Sequence, residues 1–424
     1  MTENRSTRVS GQPKGWSRLL GNVALAVVAL LASLLLCELV LRLMRVGYPV
    51  YVWTDPVRGV AHIPGARSVH KHNGVNWIAI NSDGMRGPEI ALKAPEGTFR
   101  IALLGDSFIE AFEVPFEQTV GEVIARRLSG SRGTPVEVLN FGQGGYGTTQ
   151  QLLTLQHEVW KYSPDLVLLA VTTANDISDN YRPLKKTDYV PYHVFQGTEL
   201  VLDTSFLQSK GYRSRALGTR NLLGLVQNSR LVQLINRVRH TKRRSGRIQP
   251  KTDTISGGEE GLRDEVGLPP TSAEWQEAWR VTEGILREMH EECRSRHTPF
   301  ALVTLTRGIQ VTPHRADKEE FLRKLGAKDL YYPERRLSEF GSREGFPVLN
   351  LAPPMAKQAE ERQVFFHAHG SNMGVGHWTK EGHGAAGELI AAWLAREFPA
   401  ASTKAVQASK LSPHHATDVK TRYK

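Results

Sequence analysis

Residues 100–108 read Arg-Ile-Ala-Leu-Leu-Gly-Asp-Ser-Phe, and this stretch decides the fold class. The apolar run from Ile101 to Leu104 is typical of a buried strand, and it stops at a small polar turn that carries Ser107. In an α/β protein, side chains at the carboxyl end of a strand line the crevice where ligands bind. A serine there can be a nucleophile if the chain also supplies a base and donors for an oxyanion.

Strand-like and helical patterns alternate on both sides of this stretch. The predicted strands are Ile101–Leu104, Val136–Asn140, Asp165–Val171, Phe300–Leu305 and Pro347–Leu351. The predicted helices are Glu117–Leu128, Thr149–Lys161, a long helix that opens with a capping box at Thr271–Glu274 and ends near Arg296, and Glu381–Arg396. This alternation predicts an α/β fold, with helices on both faces of a parallel sheet.

Composition divides the 424 residues into successive segments. They are a cytoplasmic N-terminus (1–18), a transmembrane anchor (19–41), a β-rich lead-in (45–98), the first half of the α/β domain (99–180), a basic insertion (181–270), the second half of that domain (271–398) and a disordered tail (399–424). The lead-in is rich in Gly, Pro and aromatic residues, and we expect it to pack on the α/β domain.

The anchor is predicted from the segment Leu19–Cys37, which contains no charged residue. A helix of this length spans about 28 Å, close to the hydrocarbon thickness of a bilayer. Four basic residues and one acid precede it, which predicts a cytoplasmic N-terminus and a catalytic domain on the periplasmic or cell-surface side. A cleaved signal peptide is the alternative, although no small-x-small site ends the apolar run. The other cysteine, Cys293, lies in a predicted soluble helix, so an intramolecular disulfide is not expected.

The formal net charge of +11 comes from one segment. Residues 209–251 hold twelve Lys or Arg and no acid, so the remainder is close to neutral. No zinc-finger or RNA-recognition signature accompanies them, and no nucleic-acid partner is expected. Apolar residues at helical spacing over Asn221–Arg239 leave four roles open: a lid, a membrane-facing helix, a platform for an anionic polymer, or a solvated insertion helix docked on the domain.

Four short blocks follow one another along the chain: Gly105-Asp106-Ser107, Asn140-Phe141-Gly142-Gln143-Gly144-Gly145, Ala174-Asn175-Asp176 and Gly376-His377-Trp378. In this order they resemble the blocks of the GDSL/SGNH hydrolase superfamily, over roughly residues 95–180 and 270–398. The resemblance implies a three-layer α/β/α sandwich around a five-stranded parallel sheet in flavodoxin-like order.

The resemblance also implies site residues. Ser107 is the nucleophile, and His377, just before the last helix, is the base that takes the serine proton. The backbone N–H groups of Ser107 and Gly145 and the side-chain amide of Asn175 form the oxyanion hole. Gly142 competes with Gly145 for that role if the loop register differs.

One element of the family pattern is missing. Family members usually carry an aspartate two or three residues before the base, where this chain has Gly374 and Val375. Either a backbone carbonyl orients His377, or an acid from elsewhere does so. Glu381 is the nearest acid downstream, and Asn372 is a neutral possibility.

The remaining polar residues near the blocks are given structural roles. Asp106 and Asp176 are expected to shape loops. Four histidines lie within seventeen residues around the base: His367, His369, His377 and His383. No acid or cysteine completes a zinc set, so neither a metal nor a cofactor is expected. We expect His367 and His369 to line the pocket and His383 to be structural.

Together these features predict a membrane-anchored serine esterase of the cell envelope. Its partners would be the membrane and an ester substrate, either an acylated glycan or a lipid ester. Two alternatives remain open. An O-acyltransferase would use the same site to acylate a surface polysaccharide, and a non-catalytic protein with a decayed site would bind an envelope glycan.

Overall fold

The computed structural model describes residues 14–44, 46, 50–70, 75–217, 229–235, 238 and 263–400. The chain forms two compact units, one of residues 1–50 and 220–248, the other of residues 51–219 and 249–424. The predicted tail lies almost wholly outside the described residues, as do most of the predicted cytoplasmic N-terminus and most of the helix predicted over Asn221–Arg239. The predicted segment boundaries stay predictions.

The strands are β1 (Val52–Asp55), β2 (Gly59–His62), β3 (Arg67–His70), β4 (Asn76–Ala79), β5 (Phe99–Gly105), β6 (Val136–Gly142), β7 (Leu166–Thr172), β8 (Tyr192–Gln196), β9 (Glu199–Asp203), β10 (Phe300–Leu305), β11 (Val348–Asn350), β12 (His367–His369), β13 (Asn372–Met373) and β14 (His377–Trp378). The α-helices with defined bounds are α1 (Lys14–Leu43), α2 (Ser107–Glu110), α3 (Val120–Arg132), α4 (Thr148–His157), α5 (Asp176–Asp179), α6 (Arg182–Lys185), α7 (Ala273–Ser295), α8 (Arg315–Leu325), α9 (Tyr332–Glu344), α10 (Ala352–Arg362) and α11 (Lys380–Glu397). Residues 210–217 and 230–235 are helical as well. The short 3-10 helices are Phe116–Gln118, Val159–Tyr162, Ser205–Gln208, Asp264–Gly267 and Gly308–Val311.

Helix α1 belongs to the first unit. Its stretch Arg18–Leu43 contains an 18-residue window with a mean hydropathy of 2.7 and is long and apolar enough to cross a membrane. One acid, Glu38, interrupts it. The Glu38 carboxylate accepts hydrogen bonds from the backbone N–H groups of Arg230 (2.9 Å) and Leu231 (3.0 Å), and it lies 2.8 Å from Nε of Arg42. Such partners lower the free-energy cost of a charge inside an apolar span.

The second unit is built on a parallel sheet with the strand order β11-β10-β7-β5-β6. Numbered along the chain, these five strands run 2-1-3-4-5, the flavodoxin-like order. Alternate residues of β5 face opposite layers: Ala102 and Leu104 pack in one apolar cluster, and Ile101 and Leu103 pack in the other. The predicted α/β/α sandwich is therefore confirmed.

Local sequence explains where the main elements begin and end. The five sheet strands lie within two residues of the predicted runs, because each run is apolar and flanked by turn residues. The long helix begins where the sequence predicts, but its N-cap is Ser272, one residue after the Thr271 of the expected capping box, and Ser272 accepts a hydrogen bond from the Trp275 N–H at 3.3 Å. The insertion contains the antiparallel hairpin β8–β9, which its composition did not suggest.

The lead-in forms two antiparallel hairpins, β1–β2 and β3–β4, within the second unit. Ile78 and Ile80 form a small apolar cluster with Phe112, which follows the serine helix. The lead-in therefore packs on the α/β domain close to Ser107.

Candidate active site

Ser107 is the first residue of α2 and follows the end of β5, the second strand from one edge of the sheet. Asp106 caps this helix, because its carboxylate accepts a hydrogen bond from the Phe108 N–H at 3.0 Å. Burial raises the pKa of Asp106, while the hydrogen bond from the Phe108 N–H favours its charged form. The serine itself is half-buried, so a substrate carbonyl can reach it.

His377 faces Ser107 from the other half of the domain. The distance from its Nε2 to the Ser107 Oγ is 2.7 Å, a hydrogen bond. His377 opens β14, which pairs with β12 in a small three-stranded sheet through the Ala368–His377 pair. The Phe108 ring packs on the imidazole with a centroid distance of 4.9 Å. The two predicted catalytic residues, 270 positions apart in sequence, are thus in direct contact.

A buried histidine supports the loop that carries the base. His367 Nδ1 lies 2.7 Å from the Gly376 carbonyl oxygen, and its Nε2 lies 2.8 Å from the Thr306 Oγ1. Burial lowers the pKa of His367 to about 4, so the ring is neutral near pH 7. A carbonyl only accepts, so Nδ1 carries the proton and Nε2 accepts from the threonine. The expectation that His367 lines the pocket is wrong: it lies fully buried behind the loop.

His383 has the structural position that the sequence suggested. It is fully buried in α11 against Trp378, at a centroid distance of 5.5 Å. Neither ring nitrogen has a hydrogen-bond partner among the residues that the structure describes. Burial lowers the pKa of His383 to about 3, so it packs as a neutral ring.

The glycine loop after β6 separates the two candidates for the oxyanion hole. The Gly142 N–H already donates to the Asn140 Oδ1 at 2.9 Å. Gly145 is exposed and has φ of 81°, a left-handed conformation that favours glycine. Its carbonyl accepts from the Lys185 Nζ at 2.8 Å, while no described residue accepts from its N–H. The Gly142 N–H is therefore engaged, and the place of Gly145 in the oxyanion hole stays a prediction.

Asn175 lies where β7 leads into α5, beside the Ser107 turn. Its side-chain Oδ1 is buried and has no hydrogen-bond partner within the described part of the chain. The side chain also lies close enough to Asp106 and Asp179 to favour the charged forms of both carboxyl groups. Its place in the oxyanion hole stays a prediction.

Asp176 has a loop-shaping contact. Its Oδ2 accepts a hydrogen bond from the Thr172 N–H at 2.9 Å. The carboxyl group is fully buried near Asp106 and Asp179, and burial together with these acids raises its pKa well above the usual range. Asp176 therefore holds the turn after β7 and does not face the serine pair.

The acid next to the base is one that the sequence did not reveal. The distance from the His377 Nδ1 to the Glu113 Oε1 is 3.1 Å, and the Glu113 side chain is only 9% exposed. The candidates Glu381 and Asn372 are both exposed. Glu113 follows Ser107 by six residues and matches no block of the family pattern, so the only signal was that an acid lies close to the nucleophile in sequence.

Among the residues that the structure describes, no group of three or more His, Cys, Asp or Glu side chains is arranged to hold a metal ion. His367 is committed to Thr306 and Gly376, and His377 is committed to Ser107 and Glu113. The reactive groups that the structure brings together here are the Ser107 hydroxyl, the His377 imidazole and the Glu113 carboxylate.

No protein-family model and no curated protein matches the sequence. Solved structures similar to this chain include the lipase/acylhydrolase from Enterococcus faecalis, at 13% identity and a TM-score of 0.34 over 72% of this chain and 100% of that one. A GDSL-like lipase from Bacteroides thetaiotaomicron is similar at 13% identity and a TM-score of 0.32, over 70% of this chain and 89% of that one. A catalytic mutant of an acetylxylan esterase from Geobacillus stearothermophilus is similar at 10% identity and a TM-score of 0.34, over 72% and 95%.

At these TM-scores the similarity carries no inference about activity. The strand order of the second unit is nevertheless the one that the motif resemblance implies. The fold that the motif resemblance implies is therefore present in this chain.

Proposed function

We propose that the protein is a serine esterase that cleaves O-acyl esters through an acyl-enzyme. The observation that carries this proposal is the 2.7 Å contact between the Ser107 Oγ and the His377 Nε2 at the carboxyl end of β5. A serine hydroxyl is a weak nucleophile at neutral pH, and an adjacent imidazole is the group that activates it.

The first half of the reaction forms the acyl-enzyme. The Ser107 Oγ attacks the ester carbonyl carbon as its proton moves to the His377 Nε2. The carbonyl oxygen becomes an oxyanion, held by the N–H groups of Ser107 and Gly145 and by the Asn175 amide. When the oxyanion collapses, the bond to the leaving alcohol breaks, and Nε2 returns the proton to that alcohol.

The second half releases the acyl group. A water molecule attacks the acyl carbon and gives a proton to the His377 Nε2. The bond between the acyl carbon and the Ser107 Oγ then breaks, and Nε2 returns the proton to the serine. The products are a carboxylic acid and the free enzyme. If a sugar hydroxyl replaces water, the same steps give acyl transfer.

Helix α1 is assigned as the membrane anchor, with the catalytic unit on the extracytoplasmic side. The substrate is then an O-acylated envelope glycan or a lipid ester. Alkaline carbonate extraction of membranes tests the anchor. Retention in the membrane pellet is expected, because an apolar helix of this length stays in the bilayer. Recovery of a shortened, soluble protein would instead identify a cleaved signal sequence.

The catalytic proposal is tested with the full-length protein in detergent. Turnover of p-nitrophenyl acetate by wild type is expected to fall by about 10³-fold or more in Ser107→Ala and in His377→Ala. Equal turnover by wild type and Ser107→Ala would contradict the proposal. Adding an acceptor polysaccharide then separates the alternatives: free acetate indicates hydrolysis, and acetylated polysaccharide indicates transfer.

A further inference from the structure

We propose that Glu113 completes the site as the positioning acid for His377, and that the lead-in hairpins hold it in place. This inference rests on the proposed function. It replaces the aspartate missing ahead of the base by an acid from the nucleophile side of the domain. It also gives the lead-in a role in catalysis, because the lead-in positions Glu113.

The distance between Glu113 and His377 is short enough for the role of a positioning acid. The Glu113 Oε1 lies 3.1 Å from the His377 Nδ1, while Nε2 on the opposite side of the ring contacts the Ser107 Oγ. An ionised carboxylate only accepts, so the proton must sit on Nδ1. That tautomer leaves the Nε2 lone pair free to take the serine proton, and the carboxylate then stabilises the imidazolium that forms.

Other acids near the base have different partners. Asp106 caps α2 through the Phe108 N–H, and its surroundings are Thr172 and Asn175. Glu381 lies in the first turn of α11 and is exposed. Glu113 is therefore the carboxylate that the described structure places in contact with the His377 ring.

Two lead-in side chains, Arg86 and Asn76, donate hydrogen bonds to the backbone carbonyls around Glu113. Arg86 donates through Nη1 to the carbonyls of Glu110 (2.8 Å) and Ala111, and through Nη2 to the carbonyl of Val114 (2.5 Å). Asn76 donates through Nδ2 to the carbonyls of Phe112 (3.3 Å) and Glu113 (2.6 Å). Five consecutive carbonyls, from residue 110 to residue 114, thus accept from two lead-in side chains.

Burying Arg86 costs free energy unless its N–H donors all find acceptors. Arg86 is 3% exposed, and a buried guanidinium is tolerated only when its donors are satisfied. Burial lowers the pKa of Arg86 to about 10, while the nearby acids, Glu110 and Glu113 among them, oppose that shift. Ala111 has φ of 55°, a left-handed conformation that ends α2 and turns the chain toward His377. The hydrogen bonds from the lead-in stabilise this strained turn, and the turn sets the position of Glu113.

A histidine of the lead-in also reaches the acid. The His70 Nε2 lies 3.8 Å from the Glu113 Oε1, the same oxygen that faces His377. Phe112, next to Glu113 in sequence, is anchored between Ile78 and Ile80 and meets the Tyr51 ring edge-on at 4.9 Å. Polar and apolar contacts of the lead-in therefore converge on the same five residues.

The positioning role of Glu113 is tested by comparing Glu113→Gln with wild type in the full-length protein. Glutamine keeps the shape of the side chain but removes its charge, and it can present an N–H to Nδ1 and favour the wrong tautomer. We expect kcat for p-nitrophenyl acetate to fall by about 10²- to 10⁴-fold. KM should stay within about threefold, because the acid does not touch the substrate. Glu113→Asp should recover part of the loss.

The role of the lead-in is tested by Asn76→Ala against a matched control, Asn81→Ala. Both asparagines are buried in the lead-in. The hydrogen bonds of the Asn81 side chain go to the Asp83 and Met85 N–H groups and to the Pro88 carbonyl, all within the lead-in, whereas those of Asn76 go to residues 112 and 113. After both variants are shown to be folded by circular dichroism, Asn76→Ala is expected to lower kcat by about tenfold or more through misplacement of Glu113. Asn81→Ala is expected to leave kcat within about twofold.

The outcomes separate this inference from the proposed function. If Ser107→Ala abolishes turnover but Glu113→Gln stays within about threefold of wild type, the acid lies elsewhere and the inference is overturned while the esterase stands. If Asn76→Ala and Asn81→Ala lower kcat equally, the lead-in serves stability alone. If Ser107→Ala keeps full turnover, the proposed function itself fails.

Discussion

Gly142 lies where the nucleophile helix and the oxyanion loop touch, and replacing it by alanine should misplace one of them. A Cβ at this position would lie 2.3 Å from the Glu110 nitrogen and 2.5 Å from the Ile109 carbonyl carbon, both backbone atoms of α2. Ordinary van der Waals contact begins at 3.4 Å, so the two segments must separate by about 1 Å. Backbone atoms cannot rotate away, unlike the end of a flexible side chain.

That separation should lower the reaction rate more than the free energy of unfolding. Gly142 pairs with Gly105 at the ends of β6 and β5, and Ser107 follows Gly105 by two residues. A displacement of about 1 Å in such a site typically costs about 10²-fold in rate. Overpacking of this kind costs about 1–3 kcal/mol in the free energy of unfolding, which a large core can absorb. We therefore expect Gly142→Ala to fold and to have kcat/KM about 100-fold below wild type.

The assay compares p-nitrophenyl acetate kinetics and thermal unfolding of Gly142→Ala with those of Gly130→Ala. Gly130 lies in α3, and a Cβ there would meet no atom within 4 Å. The control should keep wild-type activity and gain up to about 1 kcal/mol from the better helix propensity of alanine. If folded Gly142→Ala keeps kcat/KM within about threefold of wild type, the argument from close contact is refuted.

Three further predictions concern the loops and the base. Asn175→Ala should lower kcat by about 10²- to 10³-fold with a smaller change in KM, as measured by steady-state kinetics, and an unchanged kcat would remove Asn175 from the oxyanion hole. Gly145→Ala should lower both stability and kcat. Its control is Gly133→Ala, also at a positive φ (67°) with open space around the added Cβ, which should lower stability alone. Equal kinetics for the two variants would contradict the role of Gly145. Burial lowers the pKa of His383 to about 3. In the unfolded chain this histidine binds a proton near pH 6.5, whereas the buried ring stays neutral. Above pH 6.5 it therefore leaves the free energy of unfolding unchanged, and below it that free energy falls by up to about 1.4 kcal/mol per pH unit. Between pH 6.5 and pH 5, the free energy of unfolding measured by urea titration should fall by about 2 kcal/mol less in His383→Leu than in wild type. Equal falls in the two proteins would show that the ring is not buried as neutral imidazole.

The sheet could be predicted because its strands carry their own signal. Phe300–Leu305 is a run with one polar residue, Thr304, bounded by Pro299 and Thr306, and the observed strand has the same limits. Each polar block that directly follows a strand must lie at the same edge of a parallel sheet. That geometry explains why Ser107, Gly145 and Asn175, which follow β5, β6 and β7, were expected at one edge. His377 follows no strand of this sheet, so its contact with Ser107 was expected only from the family resemblance.

The acid at the site could not be predicted in the same way. Glu113 reaches His377 only because Ala111 adopts a left-handed conformation and because Arg86 and Asn76 bind the carbonyls that follow. None of these contacts has a periodicity or a spacing in the sequence. The position of His367 was missed for a related reason: a histidine beside a catalytic base has the same sequence signature whether it faces the pocket or lies behind it.

The most direct test of the account is the site of covalent labelling by a fluorophosphonate, followed by intact mass and peptide mapping of the full-length protein. Such probes trap a serine only when an adjacent base activates it and oxyanion donors stabilise the adduct. The account predicts one adduct per chain, mapped to Ser107, slowed strongly in Glu113→Gln and absent in Ser107→Ala. An unlabelled wild-type protein, or an adduct on another serine, would contradict it.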